Sequence, residues 1–342
     1  MARRFSLAVV FVLCVLACSV CAQPRPGPSF ALPDANAKVM DFAISSSGQA
    51  ILFVTAGGDS RQRRYAIFTP ATGTVREVVT STPGQIAAAP QGNLFAMALE
   101  SASGSELLVI DTDGALAGVQ RHPHRLWDPQ FSSDGREVLL RANAIGAAQK
   151  GSDVEFTAAA SYGVFDQKFQ VFAVMPPGLA LRRGLGNAGI MVFPIADVKG
   201  GGARVYDSSG NISSQRPMVR GLNLSATGVY YISPQLDPRA AFTLYDAAQH
   251  KQLREFNRAG ARPGEVITAL RWHPRNDKWL AVWRENSDSS RSLEIFDVDG
   301  NKTVRSVYKW DPAQGNLPWA WAPDGSAIVI FHSGKFWFEP VK

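Results

Sequence analysis

Cysteine is nearly absent from this chain of 342 residues, which contains only Cys14, Cys18 and Cys21. All three lie in an apolar N-terminal segment. The remainder of the chain therefore has no disulfide, no thiol nucleophile and no thiolate metal site. A chain without thiols suits an oxidising compartment outside the cytoplasm.

Charge is also sparse, because charged residues make up 19% of the chain and the formal net charge is +6. The basic groups, such as Arg61, Arg63 and Arg64, are short and contain no interleaved aromatic residues. A nucleic-acid-binding surface is typically a larger basic patch. The composition therefore predicts no nucleic-acid partner.

Catalytic motifs are missing as well. The sequence contains no Gly-x-Ser-x-Gly elbow, and the glycines at 200–202 lack the Lys-Ser/Thr ending of a phosphate-binding loop. The Asp-x-Asp-Gly turns at 111–114 and 297–300 lack the further ligands of a calcium loop. We therefore expect no cofactor, and a protein that is more plausibly a binding module than an enzyme.

The first 22 residues have the layout of a secretory signal. Arg3 and Arg4 precede a charge-free apolar run at 7–20, and Val20-Cys21-Ala22 offers small residues for cleavage. The run is short for a membrane span of about 20 residues. We predict a signal peptide at 1–22, a Pro-rich lead at 23–38, and a periplasmic or secreted protein.

A second interpretation of this segment remains open. Val15-Leu16-Ala17-Cys18 resembles a bacterial lipobox, although Leu16 stands where a small residue is usual. Lipidation at Cys18 would make the protein a lipoprotein, and this would be its only attachment to a membrane.

The rest of the chain repeats with a period of about 45 residues. Each unit has an apolar strand, a polar turn that usually contains glycine, and a second apolar strand. The turns of this first signal end the segments 42–48, 86–92, 131–135, 224–228, 272–277 and 321–325. One interval is doubled, which predicts a unit without a clear signature whose early strands lie near 179–196.

A second signal follows most of these turns and consists of a short apolar strand that ends in a turn. It is expected to mark the third strand of each unit. Its instances are the segments 66–73, 108–114, 171–178, 204–210, 243–247 and 294–300. Asp and Gly suit such turns because Asp caps the backbone and Gly adopts positive φ.

Repeated four-stranded units of this length are typical of a β-propeller. The Ser-Ser-Asp-Gly turn at 132–135 and the Ala-Pro-Asp-Gly turn at 322–325 resemble the WD40-like (PD40) repeats of the TolB type. The resemblance covers the propeller alone, without the TolB N-terminal domain, and it implies a fold but not a function.

We therefore predict an all-β fold, a single β-propeller at 39–342 with about seven four-stranded blades, although six remain possible. Strands from both termini are expected to close the ring. The segment 335–339 would be the third strand of the last blade, and residues 28–38 would supply the fourth. Closure of this kind removes open sheet edges.

One connection is unusually long. Residues 144–167, in the third blade, form an Ala-rich stretch predicted to join the second and third strands. Long connections in compact repeats are either functional or disordered. A partner-binding loop and a loose insertion are both consistent with this sequence.

His122 and His124 are the only close histidine pair, and with Asp128 they form a weak candidate for a metal site. Their spacing matches no strong metal motif, so a polar loop between blades is the preferred interpretation.

The last 71 residues contain seven of the eight tryptophans. Trp319 and Trp321 share one face of a strand. With Trp283, Arg271 and Arg284 they form a candidate binding patch, because aromatic residues and arginine dominate interaction hot spots.

The preferred functional hypothesis is an exported, monomeric, non-enzymatic propeller that binds a protein partner or a small ligand on one face of the ring. An alternative is a propeller enzyme, a hydrolase or lyase, with its site in the central channel. A weaker alternative is a lipidated scaffold in an envelope complex.

Overall fold

The computed structural model describes residues 27–57, 61–101, 103–132, 134–145, 155–175, 179–183, 190–194, 203–206, 212–216, 223–225, 229–234, 240–246, 249, 251–257, 266–286, 288–310 and 317–341. All regular structure in these ranges is β-strand, arranged as seven four-stranded antiparallel sheets. None of these residues belongs to a helix that could cross a membrane. The predicted signal segment lies outside the described residues.

Each sheet is one blade of a propeller, and in six of the seven blades the four neighbouring strands are consecutive along the chain. Blade 1 contains β2 (Val39–Ile44), β3 (Ile51–Ala56), β4 (Arg63–Thr69) and β5 (Thr74–Ser81); blade 2 contains β6 (Gly84–Ala88), β7 (Leu94–Ser101), β8 (Gly104–Asp111) and β9 (Leu116–His122); blade 3 contains β10 (Leu126–Phe131), β11 (Glu137–Ile145), β12 (Glu155–Gly163) and β13 (Phe169–Met175).

The next three blades follow the same order. Blade 4 contains β14 (Leu179–Arg183), β15 (Ile190–Pro194), β16 (Ala203–Tyr206) and β17 (Ile212–Arg216); blade 5 contains β18 (Asn223–Leu224), β19 (Tyr230–Pro234), β20 (Ala240–Asp246) and β21 (Gln252–Asn257); blade 6 contains β22 (Val266–Trp272), β23 (Trp279–Glu285), β24 (Arg291–Asp297) and β25 (Lys302–Trp310).

Blade 7 combines strands from both ends of the chain. It contains β26 (Trp319–Trp321), β27 (Ala327–His332), β28 (Lys335–Pro340) and β1 (Ser29–Ala31). The outer strand β1 pairs antiparallel with β28, and Phe30 lies opposite Phe336. The predicted closure is therefore confirmed.

The doubled interval in the sequence repeat, between the turns that end at 135 and 228, contains a complete blade. Strands β14 and β15 lie in the region predicted for its early strands, and β16 is the predicted third strand. The described strands therefore form seven blades, which excludes the six-blade alternative.

The prediction for blade 3 was wrong in one respect. The segment 171–178 was assigned to a third strand, but its strand part belongs to β13, the fourth strand. The third strand is β12, within the supposed long connection, and Glu155 there pairs with Ile145 of β11. Small alanines at 158–160 fit this strand because all three are fully buried. Residues 146–154 lie outside the described part.

In blades 1, 3 and 5 the repeated turn contains a buried serine at the end of the inner strand, namely Ser45, Ser132 and Ser225. Ser45 accepts a hydrogen bond from the amide of Ala50 at 3.0 Å, and Ser132 accepts one from Glu137 at 2.9 Å. Both serines are almost inaccessible to solvent, so each satisfies an amide that would otherwise be buried without a partner.

The core lies between neighbouring blades, because alternate side chains of each strand face opposite neighbours. Phe336 of blade 7 is fully buried and contacts Phe42, Phe53 and Phe68 of blade 1. This aromatic cluster joins the last blade to the first and keeps the ring closed.

Candidate functional site

A pocket of about 410 Å³ opens where the inner strands of blades 6, 7 and 1 begin. Blade 6 contributes Arg271 and Trp283, blade 7 contributes Trp319, and blade 1 contributes Met40 and Asp41. Clefts of this volume accommodate small ligands or single side chains. The pocket brings together three of the five residues predicted for a binding patch.

Arg271 is held in a defined orientation by blade 7. Its guanidinium lies 4.5 Å from the ring centre of Trp319, and Nη1 donates a hydrogen bond to the Trp319 carbonyl oxygen at 2.6 Å. The indole Nε1 of Trp321 donates to the Arg271 carbonyl oxygen at 3.1 Å. The arginine side chain is nevertheless exposed, so its remaining donors can meet a ligand.

The two tryptophans of the pocket are mainly structural. The rings of Trp283 and Trp319 stack with their centres 5.8 Å apart, and each residue is only 6% exposed. Most of the surface of these two residues therefore fills the wedge between blades 6 and 7. Only their edges line the pocket.

Asp41 also lines this pocket, and the sequence prediction did not include it. Its side chain is exposed in the inner strand of blade 1, and Oδ1 accepts a hydrogen bond from the amide of Phe42 at 2.9 Å. The surrounding protein raises the pKa of this carboxyl, and the positive charge of Arg271 partly opposes that shift. The carboxylate therefore faces the water of the pocket while being enclosed by the ring.

Asp41 and Arg271 face the same pocket without forming a direct ion pair. The charge of each affects the pKa of the other. Loss of solvation beside the surrounding protein is the larger influence, because both side chains keep an exposed face but are flanked by neighbouring blades, and it lowers the pKa of Arg271. At the rim, Arg291 lies 3.7 Å from Glu285 across the end of the β23–β24 hairpin. The pocket therefore presents two opposite charges inside and an ion pair at its edge.

Two predicted residues do not line the pocket. Arg284 is only 5% exposed and shares the face of β23 with Val282, which packs towards blade 5. It pairs with Glu294 at 3.4 Å. Trp321 packs edge-on against His273, with ring centres 4.9 Å apart.

The weak metal candidates have other contacts. Asp128 lies 3.2 Å from Arg141, whereas the ring of His122 packs against Phe169 and that of His124. His122 also lines a second cavity, of about 380 Å³, on blade 2. Among the residues with a described position, no three His, Cys, Asp or Glu side chains form a group that could hold a metal ion.

Comparisons with known proteins agree on the fold. No family model and no curated protein matches the sequence. An oligogalacturonate lyase in complex with manganese superposes with a TM-score of 0.64 and 9% identity, over 92% of this chain and 96% of the other. An oligogalacturonate lyase from Vibrio parahaemolyticus superposes with a TM-score of 0.63 and 10% identity, over 92% and 96% of the two chains.

Propellers of proteases are also similar. The propeller domain of the trilobed protease from Pyrococcus furiosus superposes with a TM-score of 0.55 and 11% identity, over 75% of this chain and 78% of the other. At such low identity these likenesses show the fold alone, which supports many functions. By fold, the chain is a seven-bladed β-propeller.

Proposed function

We propose that this protein is an exported, non-enzymatic propeller that binds a protein partner or a small ligand in the pocket between blades 6, 7 and 1. The observation that carries the proposal is the pair of exposed, opposite charges on Asp41 and Arg271, which face one pocket and do not bind each other. Arg271 is pre-oriented by Trp319, which lowers the entropic cost of binding.

The pocket combines polar and apolar surface in the way that specific sites do. Met40 is 52% exposed at the opening, and Leu317 and Pro318 form an apolar edge beside it. Apolar walls supply binding energy, while a few fixed polar groups determine orientation and specificity. This arrangement suits an apolar ligand or side chain that carries charged groups.

A sharp test compares Arg271→Ala with a matched control in a binding assay on the purified mature protein. The protein is used to capture partners from an extract of its own compartment. We expect Arg271→Ala to reduce the specific capture at least about tenfold, because hydrogen bonds to charged groups contribute about 1.5–3 kcal/mol each.

The matched control is Arg121→Ala, which removes an 86% exposed arginine that pairs with Glu106 on blade 2. This variant should capture as the wild type does. Equal capture by Arg271→Ala and wild type, with both proteins folded, would refute the proposed site. Trp319→Ala is unsuitable for this purpose, because truncating a buried tryptophan costs about 3–5 kcal/mol of stability.

The enzyme alternative has its own supporting observation, which is the raised pKa of Asp41 beside an arginine in a cleft. Perturbed carboxyls of this kind can act as general acids or bases. A panel of hydrolase and lyase substrates separates the hypotheses. Turnover that is lost in Asp41→Asn would favour the enzyme.

Export and the form of the N-terminus are part of the same proposal. Cleavage after Ala22 would leave Gln23 as the first residue, whereas lipidation would leave a modified Cys18. The intact mass of the protein isolated from its source distinguishes the soluble exported form from the lipidated scaffold.

A further inference from the structure

The pocket contains two separate charges that each retain binding capacity. In Arg271 the hydrogen bond to Trp319 uses Nη1, and no described protein group accepts from Nε or Nη2. A guanidinium has five N–H donors in a planar fork that matches a carboxylate. Its orientation is fixed by stacking on the indole, so the free edge of the fork is preorganised.

The carboxylate of Asp41 can likewise bind a ligand group of opposite charge. Its Oδ1 accepts a hydrogen bond from the following amide, and Oδ2 has no bonding partner among the described residues. An exposed carboxylate in this position attracts an ammonium group. Because the residue is not paired with Arg271, binding a cation here does not require a protein ion pair to break.

The overall charge of the pocket indicates which kind of ligand it can bind. The two charges inside cancel each other, and Glu285 and Arg291 at the rim neutralise each other. A polyanion would be repelled by Asp41, and a polycation would be repelled by Arg271. A ligand with one positive and one negative group satisfies both residues.

We propose that the pocket binds a small zwitterion of the amino-acid type with an apolar side group. Its carboxylate lies against the free edge of Arg271, its ammonium group lies against Asp41, and its apolar part lies against the edge of Trp283 and the side chains of Met40 and Leu317. This inference rests on the proposed function of the pocket, and it specifies the ligand.

The probes are phenylalanine, N-acetylphenylalanine and phenylalanine amide, titrated calorimetrically into the mature protein. The first carries both charges, the second only the carboxylate and the third only the ammonium group. We expect phenylalanine to bind at least about tenfold more tightly than either derivative, because each derivative leaves one charged residue without its partner. Glycine, which lacks the apolar part, should bind more weakly.

Two variants test which residue binds which charged group of the ligand. Asp41→Asn should reduce the affinity for phenylalanine to about that for N-acetylphenylalanine. Arg271→Gln should reduce it to about that for the amide. Asp41→Asn keeps the size of an exposed side chain and should keep the unfolding midpoint of the wild type. Arg271→Gln also removes the contact with Trp319 of blade 7, so its affinity is compared only after its unfolding transition shows that it is folded at the assay temperature. Arg121→Gln, on blade 2, is the control and should bind as the wild type.

Equal affinity for the three compounds, or no measurable binding of phenylalanine, would overturn the inference. If capture of a partner depends on Arg271 while no amino acid binds, the zwitterion fails and the proposed function remains. If neither capture nor amino-acid binding depends on Arg271, both proposals fail.

Discussion

Asp41 shows how a position inside the ring changes the chemistry of a single residue. An exposed aspartate on a flat surface keeps its ordinary pKa, whereas enclosure by neighbouring blades disfavours the charged form. The pKa of this carboxyl is raised mainly for that reason. The charged groups that face the same pocket are Arg271, Glu285 and Arg291.

This shift predicts that phenylalanine binding depends on pH. As pH falls through the raised pKa of Asp41, protonation removes the charge that holds the ligand ammonium group, so the affinity should decrease in acid. Titrations from pH 8 to pH 4 measure the effect. Asp41→Asn should show a flatter profile that reports the other groups, and a profile identical to that of the wild type would contradict this role.

At the residue scale, the enrichment of tryptophan and arginine near the end of the chain led to a predicted binding patch. Three of its residues, Arg271, Trp283 and Trp319, line one pocket, and their role in binding stays a prediction. Arg284 does not line the pocket, because the alternation of side chains turns this arginine towards blade 5. A charged residue inside the otherwise apolar inner strand Val39–Ile44 was the available signal for Asp41.

At the element scale, the repeat is recognised in the sequence by the turns between the first two strands of each blade. Gly325 of blade 7 has φ of +76°, and a Cβ atom there would lie 2.0 Å from Nε2 of His273. That histidine cannot move freely, since it is 7% exposed and its Nδ1 accepts a hydrogen bond from the amide of Arg275. Gly48 of blade 1 has φ of +72° and open space around it.

The surroundings of Gly48 and Gly325 predict that replacement by alanine lowers the free energy of unfolding by different amounts. Gly48→Ala should destabilise the fold by about 1–2 kcal/mol, the cost of a left-handed conformation for a residue with a Cβ atom. Gly325→Ala should cost clearly more, because it also displaces His273. Urea unfolding of the two variants measures the difference, and equal losses would show that the contact with His273 is unimportant.

The sequence predicted these turns well because turn chemistry is local. It failed in blade 3, where the turn after the third strand contains Asp166 but no glycine, and where this strand pairs with β11 over nine residues. The strand register there depends on the partner strand and on the small buried alanines at 158–160. No short sequence motif predicts this register.

At the scale of the whole molecule, ring closure depends on a short outer strand. Only three residues of β1 pair with β28, assisted by the edge contact of Phe30 with Phe338 at 5.5 Å. The amide of Leu32 adds a hydrogen bond to the Gly334 carbonyl oxygen at 2.9 Å. The pocket spans blades 6, 7 and 1, so its geometry depends on this closure.

Phe30→Ala should therefore lower the free energy of unfolding by about 1–2 kcal/mol, as expected for a half-buried phenylalanine. Amide hydrogen exchange in β28 should become faster, because its partner strand frays. Phe165→Ala is the matched control, since Phe165 is 76% exposed and should contribute little. Unchanged exchange in β28 would show that β1 does not hold the blade.

The sequence by itself determined the repeat and the strand order within most blades, because these depend on local alternation and turn chemistry. It also indicated closure by both termini, because the last blade lacks a fourth strand at the end of the chain and an open edge would remain. Only the tertiary structure decided which tryptophans are buried and which charges meet. Asp41 and Arg271 lie in the first and sixth blades, and their proximity arises because the ring closes through blade 7. No local pattern encodes this shared pocket, since it depends on the number of blades and on the packing between them.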